Sequence, residues 1–189
     1  MKLRFLSAQD VRRALPMAEA IAGMKAAYAS LSTGQAVMPL RSHVSIAEHF
    51  GTTLIMPAYL PDAIAPSLAV KVVSVFPQNA QHGEPVIYGL VLALEAATGR
   101  PLAIMEGSAL TAIRTGAASG AATDVLARPD TAVAAIFGSG VQARTQLEAI
   151  CTVRPIQEVR IYSLVRDQAQ TLAAELAGQG PIPVHMRVV

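Results

Sequence analysis

Residues 131–150 read TAVAAIFGSGVQARTQLEAI, an apolar run that ends in Gly138, Gly140 and Ala143 and passes directly into a helical pattern. This is the order of an opening strand, a tight turn and a helix in a dinucleotide-binding unit. Gly138 permits the sharp turn, Gly140 lets backbone approach a pyrophosphate, and Ala143 is small enough for helix to pack on strand. A helix beginning near Val141 offers unpaired N–H groups and its positive dipole end to phosphates, which brings Gln142 into the same turn. The glycine spacing alone is a weak signal, but here Ala132 to Phe137 supplies the preceding strand and Gln142 to Val153 the following helix.

The second strand is placed at Val159 to Ser163. Its last residue is Ser163, where an NAD site usually presents an acidic side chain to the ribose hydroxyls. Arg166 follows closely. A hydroxyl with a guanidinium suits a 2′-phosphate better than a diol, which points to NADP(H) over NAD(H). A second reading of Arg166 and Asp167, as solvated residues at a helix start, stays open.

Outward from this unit, the chain of 189 residues is 52% apolar with a net charge of +2, enough hydrophobic material for one or two packed domains. Its 15 basic residues are scattered, and it has four Tyr, four Phe and no Trp. It therefore lacks the electrostatic footprint and stacking platform of a nucleic-acid binder. Cys151 is the only cysteine. No internal disulfide can form, a reducing cytoplasmic compartment is implied, and Cys151 reads as a small packed side chain. No run has the character of a signal peptide or a membrane span, and no metal-ligand pattern is evident.

Ser7 and Asp10 form a capping box for a first helix. Met17, Ile21, Met24, Tyr28 and Leu31 then recur at helical spacing up to Gly34, as a core-facing stripe. Between Val37 and Glu106 the period changes to strands: PLRSHVSI, TTLIMPAYL, SLAVKVVSVF, VIYGLVLALE and PLAIME. Ser108 to Arg128 is a long helix of small residues closed by Pro129. Beyond it Thr131–Gly138, Val141–Val153, Val159–Ser163, Arg166–Ala177 and Val184–Val189 alternate as strand and helix.

The expected architecture is α/β. An N-terminal α+β mixed-sheet substrate and dimerisation domain (1–129) precedes the first half of a Rossmann NAD(P)-binding domain (130–189). Half of a doubly wound sheet leaves an apolar edge and face uncovered, so the chain reads as a fragment, or as one whose other half comes from elsewhere. As such a piece it is expected to be inactive alone.

Three side chains in the first region are candidates for substrate chemistry. Lys71 shares a strand face with Ala69, Val73 and Val75, so its ammonium emerges from apolar surroundings that can tune it for proton transfer. A gatekeeper lysine on an edge strand fits the pattern equally well. Arg41 falls on one strand face with His43 and Ser45, where it can fork onto a carboxylate or simply be solvated. Arg114 shares a helix face with Thr111, Thr115, Ala118 and Ser119. Small neighbours leave room for a ligand, or let the guanidinium reach a backbone carbonyl.

Taken together, KVVSVFPQN (71–79), Gly83 and Pro85, TGRPLAIMEGSALTAIRTGAASGAATDVLAR (98–128) and IFGSGVQARTQLEA (136–149) closely resemble the ornithine cyclodeaminase and mu-crystallin family. That family includes archaeal-type alanine dehydrogenases, ketimine reductases and pyrroline-2-carboxylate reductases, and its members are longer than this chain. The resemblance implies that Arg41 and Arg114 hold the substrate carboxylate and that Lys71 stands at the reacting nitrogen or carboxylate. It also implies that Arg114 and Thr115 face the cofactor, that Gly138, Gly140, Val141, Gln142 and Ala143 form the pyrophosphate turn, and that Ser163 with Arg166 lies at the ribose end. The family's catalytic aspartate would follow residue 189.

Two departures stand out. Leu54 occupies the place of a glutamate, and Val86 that of a threonine, in ornithine cyclodeaminases proper. The implied function is NAD(P)-dependent hydride transfer at the α-carbon of a small α-amino acid or its cyclic imine, in a homodimer without nucleic-acid or membrane partners. Ornithine cyclodeamination with recycled NAD, and a non-catalytic crystallin-like ligand-binding role, are the alternatives.

Overall fold

The computed structural model of the protein describes residues 2–61 and 66–189. In chain order the elements are β1 (Arg4–Leu6), α1 (Ala8–Ala14), α2 (Met17–Ser32), β2 (Ser42–Ile46), β3 (Gly51–Leu60), β4 (Ser67–Val75), β5 (Ile87–Glu95) and β6 (Pro101–Glu106). They continue with α3 (Gly107–Leu126), β7 (Val133–Phe137), α4 (Val141–Val153), β8 (Glu158–Tyr162), α5 (Arg166–Leu176) and β9 (Met186–Val188). Short 3-10 turns at Ala47–His49 and Pro77–His82 complete the description.

Two compact units result, Met1–Ala14 with Ala26–Thr111 and Leu15–Lys25 with Ala112–Val189. The boundary read from the sequence at 129/130 separates the strands of the two sheets. Compactness instead groups the start of α2, and α3 beyond Thr111, with the second sheet. The reason is visible within that unit: a Cβ on Gly120 would lie 2.8 Å from Ile21 and 3.0 Å from Ala149, so α3 is wedged closely between α2 and α4. Met17, Ala20 and Ile21 are accordingly buried, while Tyr28 and Leu31 are exposed. Only the first half of the expected apolar stripe on α2 faces a core.

The first unit is a mixed six-stranded sheet in the order β1-β6-β5-β4-β3-β2, antiparallel throughout except for β1, which runs parallel to β6. The strands follow the sequence pattern closely. β1 has no signature in the sequence, because three residues on an edge carry no periodicity long enough to read. Ser7 and Asp10 do form the capping box that starts α1: Asp10 N–H donates to Ser7 Oγ (3.2 Å) and Ser7 N–H to Asp10 Oδ2 (3.0 Å).

Cross-strand register sorts the sheet into two faces. Met56, Lys71, Val91, Met105 and Leu6 align in one row across five strands. The opposite face carries Pro57, Val70, Leu92, Ile104 and Phe5 in one row, and Ile55, Val72 and Leu90 in the next.

The second unit holds the parallel sheet β7-β8-β9. Ala134, Ile136, Val159 and Ile161 pack with Ala143 and Leu147 of α4 and Ala169, Leu172 and Leu176 of α5 in one core. Cys151 belongs to it, and burial pushes its thiol up to about 11. Both helices serve the same sheet face. Val133, Phe137, Arg160 and Tyr162, which point the other way, are exposed, and Phe137 and Tyr162 meet with ring centroids 6.1 Å apart.

The C-terminal end of α3 is secured by Arg154, whose side chain is nearly buried. Its guanidinium donates to the carbonyls of Thr123, Asp124, Ala127 and Arg128 and to the Asp124 carboxylate (2.8 Å). A fork of N–H donors thereby binds carbonyls of the last helical turn and of the two residues that follow it. No described helix is long and apolar enough to cross a membrane.

Candidate active site

In the first unit the candidate residue at the centre of the sheet is Lys71. β4 lies between β3 and β5, so Lys71 is an interior-strand residue and the edge-gatekeeper reading is excluded. Its row-mates Met56 and Val91 present hydrocarbon to the stem of the side chain, and Val91 is buried. The ammonium reaches the first turns of α3, where Nζ donates to Thr111 Oγ1 at 2.6 Å. Thr111 in turn donates to the carbonyl of Gly107, also at 2.6 Å.

The start of α3 is held against this face by two glycines the sequence did not flag. A Cβ on Gly107 would stand 2.5 Å from the carbonyl carbon of Gly89 in β5, so the helix begins in direct contact with the sheet backbone. Glu106 caps the helix, accepting hydrogen bonds from the N–H groups of Ser108 (2.8 Å) and Ala109 (2.7 Å). Partial burial works against the charge of Glu106, but these bonds and the nearby Arg12 outweigh it and hold the carboxyl below its ordinary range. A carboxylate at this place also offsets the positive end of the helix.

Arg41 precedes the first residue of β2 and is exposed, so it lies outside the ladder in which the sequence placed it. His43 pairs with Leu54, and Leu54 with Val73, which puts them on the Lys71 face. Leu54, one of the two departures noted above, is thus a neighbour of the lysine row. Val86 stands just ahead of β5, its carbonyl accepting from Phe76 N–H (2.8 Å).

In the second unit the glycine turn has the expected form. Gly138 adopts φ +99°, a conformation that favours glycine, and donates its N–H to Tyr162 O at 2.7 Å. α4 starts at Val141 with Gly140 as its N-cap and no side-chain capping bond. A Cβ on Gly140 would meet nothing within 4 Å, whereas Ala143 is buried against the β7 core. The turn opens on a cleft of ≈ 490 Å³ lined by Phe137, Gly138, Gly140, Val141, Gln142 and Gln146 among others. Uncapped N–H groups beside open space fit a pyrophosphate.

Ser163 is the first residue past β8 rather than its last. Its hydroxyl is paired with that of Ser139 at 2.9 Å and accepts from Val165 N–H at 3.3 Å, with Gln168 on the far side of Ser139 (3.5 Å). The sequence carries no signal for Ser139 or Gln168 at this place, because nothing in their spacing shows that the turn after β7 meets the loop after β8 and the first turn of α5. Arg166 opens α5 and is exposed.

On α3, Ala112, Ile113, Gly116 and Ala117 are buried while Arg114 is exposed and Thr115, Ala118 and Ser119 are half-buried, so the face of small residues around Arg114 is the open one. Among the described residues no three of His, Cys, Asp and Glu gather as metal ligands.

The model of the ornithine cyclodeaminase/mu-crystallin family matches residues 1–187. The chain belongs to that family. It is 39% identical over 168 residues to a Delta(1)-pyrroline-2-carboxylate reductase of Bacillus cereus, an alignment covering 89% of this chain and 51% of the relative.

Two solved structures extend the likeness to the fold. The Thermococcus litoralis Delta(1)-pyrroline-2-carboxylate reductase in complex with NADH and L-proline has a TM-score of 0.86 and 42% identity, covering 98% of this chain and 56% of the other. An archaeal alanine dehydrogenase dimer with bound NAD has a TM-score of 0.87 and 30% identity, covering 100% and 56%. The chain spans about half the length of the curated relatives it matches.

Proposed function

We propose that the protein is an NAD(P)-dependent oxidoreductase that transfers hydride at the α-carbon of a small α-amino acid or its cyclic imine. A cyclic-imine carboxylate such as pyrroline-2-carboxylate is the favoured substrate class. The observation that carries this reading is the likeness to the reductase whose structure holds NADH and L-proline. The glycine turn supports it, since Gly138 supplies a bend, Gly140 open space and Val141 and Gln142 the N–H groups of a helix start, with Ala143 packing that helix on its strand, where a pyrophosphate would lie. Bound there, a nicotinamide cofactor supplies the hydride.

The chain's own residues do the rest by position and charge. Arg41 and Arg114 are assigned to the substrate carboxylate, with Arg114 and Thr115 also toward the cofactor. Lys71 manages the proton at the substrate nitrogen. Leu54 on the lysine face favours a reductase over an ornithine cyclodeaminase, which would carry a carboxylate there. Ser163 and Arg166 are assigned to the ribose end of the cofactor.

The apolar face opposite Lys71 is the proposed dimer surface: Leu90 is 55% and Ile55 38% exposed, and the alanine dehydrogenase relative is a dimer. Sedimentation of the complete protein over a range of concentrations tests this, and a monomer throughout would count against it.

The reaction is tested by steady-state assay of the complete protein with pyrroline-2-carboxylate, with pyruvate plus ammonia, and with ornithine. Net oxidation of reduced cofactor with the imine is expected. Ammonia release from ornithine without net cofactor turnover would instead establish cyclodeamination. Cofactor binding with no turnover of any substrate would establish the non-catalytic role.

A further inference from the structure

We propose that Thr111 is a positioning residue that fixes the side chain of Lys71 for the reaction, an inference that rests on the reductase reading above. Lysine carries its charge on a flexible four-carbon stem, and holding it in one rotamer opposes considerable entropy. Its row-mates Met56, Val91 and Met105 are apolar, so they flank the stem of Lys71 and leave its ammonium to polar groups outside the row. Thr111 supplies one from above the sheet.

The direction of that hydrogen bond is set by the chemistry of a hydroxyl, which has a single proton to give. The Gly107 carbonyl can only accept, and at 2.6 Å it takes the Thr111 proton. The oxygen that faces Lys71 therefore offers lone pairs, and Lys71 must be the donor in the 2.6 Å contact. One N–H of Lys71 is thereby given a fixed direction.

The anchor is itself rigid. Gly107 sits against Gly89 with no room for a side chain, and Glu106 grips the next two N–H groups of the helix. Sheet backbone, helix start, hydroxyl and ammonium form one connected path, and each link is short. A lysine that exchanges a proton with a substrate nitrogen depends on such placement, because misplacement by about an ångström can cost two orders of magnitude in rate.

The test compares Thr111→Val, which keeps the shape and removes the acceptor, with Thr111→Ser, which restores it, in the complete protein. One readout is independent of turnover: the rate at which an amine-reactive acylating ester labels Lys71, measured by peptide mass spectrometry against Lys25. The other is kcat and KM for the cyclic imine and for the cofactor.

Thr111→Val is expected to raise Lys71 labelling several-fold and lower kcat about tenfold, the loss of one charge-assisted hydrogen bond, with KM for the cofactor unchanged. Thr111→Ser should return both quantities toward wild type. If Thr111→Val does not fold, Thr111→Ala takes its place. Unchanged Lys71 labelling in the acceptor-less variant would overturn the proposal. So would an equal fall in kcat for Val and Ser, which would make Thr111 a helix-packing residue only. A protein that reduces no imine would sink the proposed reaction, while the labelling ratio would still decide whether Thr111 holds Lys71.

Discussion

Gly116 of α3 lies so close to Thr145 of α4 that a Cβ at Gly116 would stand 2.3 Å from the Thr145 carbonyl oxygen. Backbone meets backbone here, and the neighbour cannot swing aside as a flexible side chain would. By helix propensity alone Gly116→Ala would gain about 1 kcal/mol. Overpacking against a fixed carbonyl costs roughly 1–3 kcal/mol and outweighs it, so the variant should be less stable, and Gly116→Val more so. Chemical denaturation measures this, and a higher midpoint for Gly116→Ala would show that the two helices can part without cost.

Gly140 provides the contrast. Its φ of −75° suits any residue and no atom lies within reach of an added Cβ, so Gly140→Val should leave stability unaltered while weakening cofactor binding at least tenfold. Arg114→Ala should fail differently. The loss of a charge-assisted contact of roughly 1.5–3 kcal/mol should lower kcat/KM for the imine by an order of magnitude or more. Denaturation, cofactor titration and steady-state kinetics on both variants separate the cases. Full turnover by Arg114→Ala would make that arginine structural.

Cofactor choice should follow Ser163 and Arg166. The wild type is expected to bind NADP(H) at least as well as NAD(H). Ser163→Asp should reverse this, since a carboxylate accepts from ribose hydroxyls and repels a 2′-phosphate, and Arg166→Ala should weaken NADP(H) selectively. Calorimetric titration of both cofactors gives the ratio. A wild-type preference for NAD(H) of about tenfold, some 1.4 kcal/mol, would defeat the phosphate assignment.

Acid stability should depend on Asp124. Its bond to Lys25, joined by that to Arg154, holds the carboxyl below its ordinary value. A carboxylate whose folded-state pKa is depressed stabilises the fold above its unfolded value of about 3.9, and that contribution is lost as pH falls through the lower, folded value. The gap in Tm between wild type and Asp124→Asn should therefore be full near neutrality and shrink below about pH 4. A gap independent of pH would show that the amide replaces the carboxylate without loss.

What was legible in the sequence is what repeats locally. Alternation over β3 to β6 and the apolar run into Gly138, Gly140 and Ala143 specify strands, turn and helix, because a strand's side chains alternate and a left-handed bend favours glycine. The residues that resemble the family's motifs were legible for the same reason, as contiguous stretches. What tertiary structure alone decided lies between distant segments.

That Lys71 sits on an interior strand and donates to Thr111, forty residues on, follows from strand order, which periodicity does not encode. The meeting of Ser139 with Ser163, the close approach of Gly107 to Gly89, and the clasp of Arg154 on the end of α3 are likewise products of packing. A sequence states which faces are apolar and where the chain can bend. Only closing the loops between them brings a hydroxyl, a carbonyl and an ammonium within hydrogen-bonding distance.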